Sequence, residues 1–179
     1  MKERPIIFSG PMVRAILDGR KTQTRRVVKP QPDEVKDPNA KVALITCLRF
    51  YQAGKEHSCP YGAPGDLLWV REIFAMESPT CPVYLADQTD KTTVERWKPS
   101  IHMPRQLSRL TLEIVSVRVE RLQDITEEDA AAEGCEPKPE KDHNILKFTK
   151  GYETLWKSIN GFGSWALNPW VWVIEFKKL

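Results

Sequence analysis

No apolar run in the chain is long enough to cross a bilayer, and no apolar stretch of signal-peptide length lies near its first residues. That excludes a helical membrane protein and leads us to expect a cytoplasmic protein with no membrane partner. Cysteines are few (Cys47, Cys59, Cys81 and Cys135) and no Cys-x-x-Cys pair occurs among them, so neither a disulfide framework nor a zinc ribbon is expected. Cys47, His57, Cys59 and Cys81 come nearest to a ligand set, but at a poor spacing, so reduced thiols with no metal and no cofactor are the expectation. His102 and His143 stand at no motif spacing. A strong charge of one sign is also missing: 27 Lys and Arg against 24 Asp and Glu leave +3. A protein that grips nucleic acid over its whole surface is thereby excluded, and only a local basic site is left open.

Tryptophan and proline are plentiful, six and fourteen in 179 residues. They point to large aromatic anchors joined by loops that cannot be helical. The length suits one domain spanning 1–179. Two stretches, about 29–62 and 76–108, carry little periodic apolar pattern and read as insertions; the first holds one apolar run, Val42 to Leu48, and the second a short strand, Val83 to Ala86. Trp97 and Tyr84 in the second insertion suit either covering the core or stacking on a base.

Outside the insertions the pattern is regular. Pro5 to Phe8 reads as a strand, and Ser9-Gly10-Pro11 opens a helix over Met12 to Asp18 that Gly19 ends. Gly65-Asp66 turns into a core strand, Leu67 to Phe74, whose charged residues are Arg71 and Glu72. Glu72 is a candidate binding residue at a barrel rim, with a cross-strand ion pair as the alternative. From Arg109 to Leu122 apolar residues alternate and then switch parity, which predicts a bulge at Ile114 and Val115. Thr126 to Asp129 resembles a capping box for a short helix that ends at Gly134, placing Glu133 at its C-terminus. Tyr152, Leu155, Trp156 and Ile159 form a helical stripe read as core. Trp170 to Phe176 is the closing strand, with Trp170, Trp172, Ile174 and Phe176 on one face. The order of elements describes an α+β domain built on a small mixed β-barrel.

The densest chemistry lies at Gly19-Arg20-Lys21-Thr22-Gln23-Thr24-Arg25-Arg26, where four cations and two hydroxyls follow the first helix. Glycine ends the helix and threonines favour an extended chain, so the segment is a helix-to-strand corner. Such a corner presents an ammonium, hydroxyls and guanidinium forks to a phosphate, a carbonyl or a base edge. A solvated basic face is the alternative reading.

These residues resemble the signature of the ASCH domain family, within the PUA-like superfamily, in which a glycine is followed by a lysine and then an arginine. The usual acidic residue before that arginine is Thr24 here. This departure matches a branch of bacterial N4-acetylcytidine amidohydrolases whose motif reads Gly-x-Lys-Thr-x-Thr. The resemblance extends to Gly65-Asp66 before a core strand, to Glu133 on an acidic helix, and to Val173-Ile174-Glu175-Phe176-Lys177, covering 12–28, 64–74, 110–134 and 170–179. The Cys-Pro-Tyr-Gly run and Pro-Gly-Asp-x-Leu-Trp-Val-Arg-Glu look like those of proteins encoded in bacteriophage and prophage genomes.

The resemblance implies a PUA-like small mixed β-barrel (the ASCH fold) with flanking helices and two loop-rich insertions. It further implies catalytic Lys21, Thr24 and Glu133, and modified nucleoside or RNA as partner; Arg20, Arg25, Arg26 and Glu72 are candidate contacts by their charge and position. In such a site Thr24 attacks the amide of an N4-acyl-cytidine, Lys21 takes its proton and Glu133 passes one to the leaving amine. A non-catalytic RNA-binding module and a ribonuclease are the alternatives. One obstacle is geometric: on a straight strand Lys21 and Thr24 point to opposite faces, so they converge only if Lys21 belongs to the turn.

Overall fold

The computed structural model describes residues 1–32, 49–52, 55–78, 80–88, 94, 96–140 and 145–179. Strand β1 is Glu3–Ile7, helix α1 Gly10–Leu17 and strand β2 Gln23–Val27. A hairpin of β3 (Arg49–Gln52) and β4 (Lys55–Ser58) precedes β5 (Leu67–Arg71), and a second hairpin pairs β6 (Phe74–Ser78) with β7 (Cys81–Tyr84). The long strand β8 (Thr111–Arg121) leads to α2 (Glu127–Ala132), and the two-residue strands β9 (Lys138–Pro139) and β10 (Leu146–Lys147) lead to α3 (Phe148–Asn160). β11 (Trp170–Lys178) completes the fold. The apolar run Val42 to Leu48 lies outside the described residues.

The central sheet runs β1-β5-β8-β11-β2, with β1 parallel to β5 and the other pairs antiparallel. The expected β-barrel is therefore incorrect: the sheet is open, and β1 and β2 are its two edges. Sequence supplies the reason. Leu67 donates to the Lys2 carbonyl and Phe8 donates to that of Arg71, so the even-numbered residues of β1 bond toward β5 and the odd ones face outward. The outward position in mid-strand is Pro5, which has no N–H to offer a further strand. On the opposite edge Phe176 donates to the Thr22 carbonyl and Val28 to that of Trp170, leaving residues 23, 25 and 27 facing outward. Side chains occupy these edges instead of a ladder. Lys21 Nζ donates to the Gln23 carbonyl at 2.7 Å, and the Arg26 guanidinium donates to the carbonyls of Arg25 at 3.3 Å and Ile7 at 2.9 Å. Arg26 thus spans from one edge strand to the other.

The bulge falls where the parity switch predicts it. Glu175 pairs with Ser116 and Phe176 with Ile114, leaving Val115 as the extra residue. β11 lies between β8 and β2 and is buried on both faces, so it divides two cores. Trp172, Ile174 and Phe176 pack with Phe8, Val13, Ile16, Leu68 and Leu112, whereas Val171 and Val173 pack with Leu122, Ala130, Tyr152 and Trp156. Helix α1 covers the first face through Val13, Ala15 and Ile16, and α2 and α3 cover the second. The Glu127 carboxylate in the first turn of α2 accepts from the Phe148 N–H at 2.7 Å, so one helix caps the next.

Candidate functional site at the open edge

The corner after α1 is shaped by glycine. Gly19 adopts φ 75°, and Lys21 then pairs with Glu133 as a single antiparallel bridge before β2 begins. Lys21 N–H donates to the Ala15 carbonyl and Thr22 N–H to that of Ala132, both at 2.9 Å. Lys21 therefore belongs to the turn, not to the strand, and period-two alternation does not apply to it. Glu133 caps α2, followed by Gly134 at φ 76°. A Cβ on Gly134 would lie 2.9 Å from the Cβ atoms of both Ala15 and Lys21, so glycine is what lets this corner close.

Lys21 is buried, and its ammonium has three acceptors: Glu133 Oε2 at 2.7 Å, the Glu133 carbonyl at 2.9 Å and the Gln23 carbonyl at 2.7 Å. Burial pushes its pKa down, the Glu133 carboxylate opposes that, and the nearby Arg26 guanidinium adds repulsion; the net shift is downward. The ammonium also lies 5.6 Å from the Phe8 ring centroid, and the Arg26 guanidinium lies 5.3 Å from the same ring. By alternation Thr24 shares a face of β2 with Arg26. Thr24 is fully buried opposite Ile174, and its hydroxyl has no hydrogen-bond partner among the described residues.

Arg25 faces the other side of β2. Its side chain has no solvent exposure, and it donates to Asp129 at 2.7 Å, Glu120 at 3.2 Å and Glu133 at 3.4 Å while lying 5.9 Å from the Tyr152 ring. Arg118 extends this network to Glu120, Asp129 and Glu175. Burial works against the Asp129 carboxylate, but Arg25 and Arg118 outweigh it and hold the group below its ordinary value. These residues escape a reading by local spacing because β2, β8 and α2 bring them together from 95 and 104 positions apart.

A cavity of about 500 Å³ opens between the two edge strands and α3. Its walls include Ile6 and Ile7 of β1, Arg25 and Arg26 of β2, Glu133, and the aromatic residues Tyr61, Tyr152 and Trp156. The α3 stripe therefore has a second role: Tyr152 and Trp156 are buried, but Leu155 and Ile159 line the cavity and are not part of the core. A spacing signal for this existed in the sequence, since residues 152, 155, 156 and 159 share one helical face. What that face meets was not in the pattern.

Of the residues singled out by sequence, Lys21 and Arg25 both bind the Glu133 carboxylate, Thr24 is the strand neighbour of Arg25, and Arg26 lines the cavity. Two others lie apart from it. Arg20 is exposed and pairs with Asp18 at 2.9 Å. Glu72 is buried and receives both forks of Arg109, at 2.9 and 3.0 Å, while Arg109 also binds Asp87 and covers the Tyr84 ring at 4.1 Å. Glu72 thus fastens the β6–β7 hairpin to the sheet, the ion-pair role weighed above, and Tyr84 belongs to the same clamp. Cys47 and His143 lie outside the described residues, and among those described no group of three metal-ligating side chains and no membrane-crossing helix is found. No family model matches the chain, and no curated protein or solved structure is significantly similar to it.

Proposed function

We propose that the cavity at the open edge of the sheet binds the base of a modified pyrimidine nucleoside. The observation that carries this reading is the composition of the cavity lining: guanidinium groups and a carboxylate together with Tyr61, Tyr152 and Trp156. A planar heterocycle needs apolar or aromatic surface for its faces and fixed donors and acceptors for its edge, and a site of a few hundred cubic ångströms suits that size. The resemblance of Gly19-Arg20-Lys21-Thr22-Gln23-Thr24 to the ASCH amidohydrolase motif points to the same ligand class.

A second reading, amide hydrolysis, is favoured by the Thr24 hydroxyl, which is buried without a partner among the described residues, three positions along the chain from a lysine whose pKa is depressed. On this reading Lys21 first passes a proton to its Glu133 partner, and the resulting amine accepts the Thr24 proton as the hydroxyl oxygen attacks the acyl carbonyl. The C–N bond breaks with the cytidine amine taking the proton held on Glu133, and water then cleaves the threonyl ester to release the acid. Because the hydroxyl is buried, this step requires the substrate to displace part of the wall formed by Arg25 and Arg26. The test is acetate release from N4-acetylcytidine by the wild type, Thr24→Ala and Lys21→Ala, alongside equilibrium binding of cytidine. Turnover confined to the wild type supports catalysis. Cytidine binding with equal background turnover in all three leaves a binding protein, and absence of both discards the nucleoside reading.

A further inference from the structure

The cations around the cavity are not equivalent. Lys21 is committed to Glu133, and Arg25 divides its guanidinium among Glu133, Asp129 and Glu120. Arg26 differs: among the described residues it has no carboxylate partner, and it donates only to the carbonyls of Arg25 and Ile7. It is partly exposed, lines the cavity, and holds its outer nitrogen at the exposed edge beside Ile7. A guanidinium carries five N–H donors, so most of its capacity is unspent, and among the described residues no carboxylate pairs with its charge. The first turn of α1, whose Ser9 and Met12 also line the cavity, contains no acidic residue that would repel an anion. The remaining carboxylate in the wall, Glu133, is engaged by Lys21 and Arg25.

We infer that Arg26 is an anion-binding residue and that the natural ligand of this cavity is phosphorylated, a nucleotide unit and not a free nucleoside. This rests on the nucleoside reading above and adds the ligand's charge to it. The geometry suits phosphate: a planar fork at the cavity edge can turn from two neutral carbonyl acceptors to a dianion, gaining charge-assisted bonds in their place. The phosphate belongs either to a mononucleotide or to a polynucleotide, and the two are separable by experiment.

The measurement is calorimetric titration at fixed ionic strength of cytidine, which has no amide to cleave, cytidine 5′-monophosphate, a short oligocytidylate and inorganic phosphate. The readout is the ratio of nucleoside to nucleotide Kd in the wild type, Arg26→Gln and Arg26→Lys. A phosphate held by Arg26 is expected to tighten binding by roughly 10- to 100-fold in the wild type. The ratio should collapse to within about threefold in Arg26→Gln and be largely retained in Arg26→Lys, which keeps the charge. A gain seen only with the monophosphate identifies a free nucleotide, and a gain with the oligomer identifies RNA. Equal wild-type affinity for cytidine and its phosphorylated forms overturns the inference and leaves the nucleoside reading standing. A gain that persists in folded Arg26→Gln, or inorganic phosphate bound equally by wild type and Arg26→Gln, also overturns it. If cytidine itself fails to bind, both readings fall.

Discussion

At the residue scale the Lys21–Glu133 pair carries the most weight. Both side chains are buried, and the ammonium donates two hydrogen bonds to Glu133 and a third to the Gln23 carbonyl. Removing one member strands the other in a low-dielectric site, so Lys21→Ala should cost on the order of 3 kcal/mol in denaturant unfolding. The combined Lys21→Met, Glu133→Leu variant should recover much of that loss while abolishing any turnover, which separates the ionic pair's chemical role from its structural one. Cys135 is a companion case. Burial, reinforced by the Glu133 carboxylate, pushes its thiol up to about 12, with Lys21 and Arg25 opposing. At pH 8 it should react with thiol reagents far more slowly than the exposed Cys81, as mass spectrometry of partially labelled protein would show.

At the scale of elements, the corner between α1 and β2 depends on Gly134 as much as on its own residues. Gly134→Ala puts a methyl group 2.9 Å from Lys21 Cβ at a positive φ, and is expected to lose more than about 1 kcal/mol of stability together with cytidine binding. Much of this scale was legible in the sequence because its signals are local. Gly19 marked the helix end, the parity switch marked the bulge at Val115, and the acidic helix placed Glu133 at its C-cap. The open sheet was not legible. Whether Pro5 blocks a further strand depends on which neighbour its missing N–H would face, and that is fixed by the register with β5, not by residues near it. The same limit hid the cavity role of α3, whose apolar stripe looks identical whether it meets a core or a pocket wall.

At the scale of the whole molecule, the charges that organise the site also set its response to pH. Asp129 has a depressed pKa in the fold, so the stabilisation it gives is fully present above its unfolded value of 3.8 and is lost as pH falls through the lower folded value. Lys21 acts in the opposite range. Its folded pKa is lowered from 10.5, so between the two values the unfolded chain holds a proton that the native chain does not, and this group's contribution rises with pH there. Unfolding curves from strongly acid to alkaline pH should show the acid limb flattened in Asp129→Asn and the alkaline rise removed in Lys21→Met. The open edge unites these observations: where a barrel would close by strand pairing, this fold places Lys21, Arg26 and a cavity. The most direct test of that account is a crystal structure with N4-acetylcytidine bound to Thr24→Ala. The account predicts a base enclosed by Arg25, Arg26, Tyr152 and Trp156, with its acyl carbonyl within roughly 3.5 Å of the position vacated by the Thr24 hydroxyl. A ligand bound elsewhere, or one in the cavity with its acyl group directed away from β2, would contradict it.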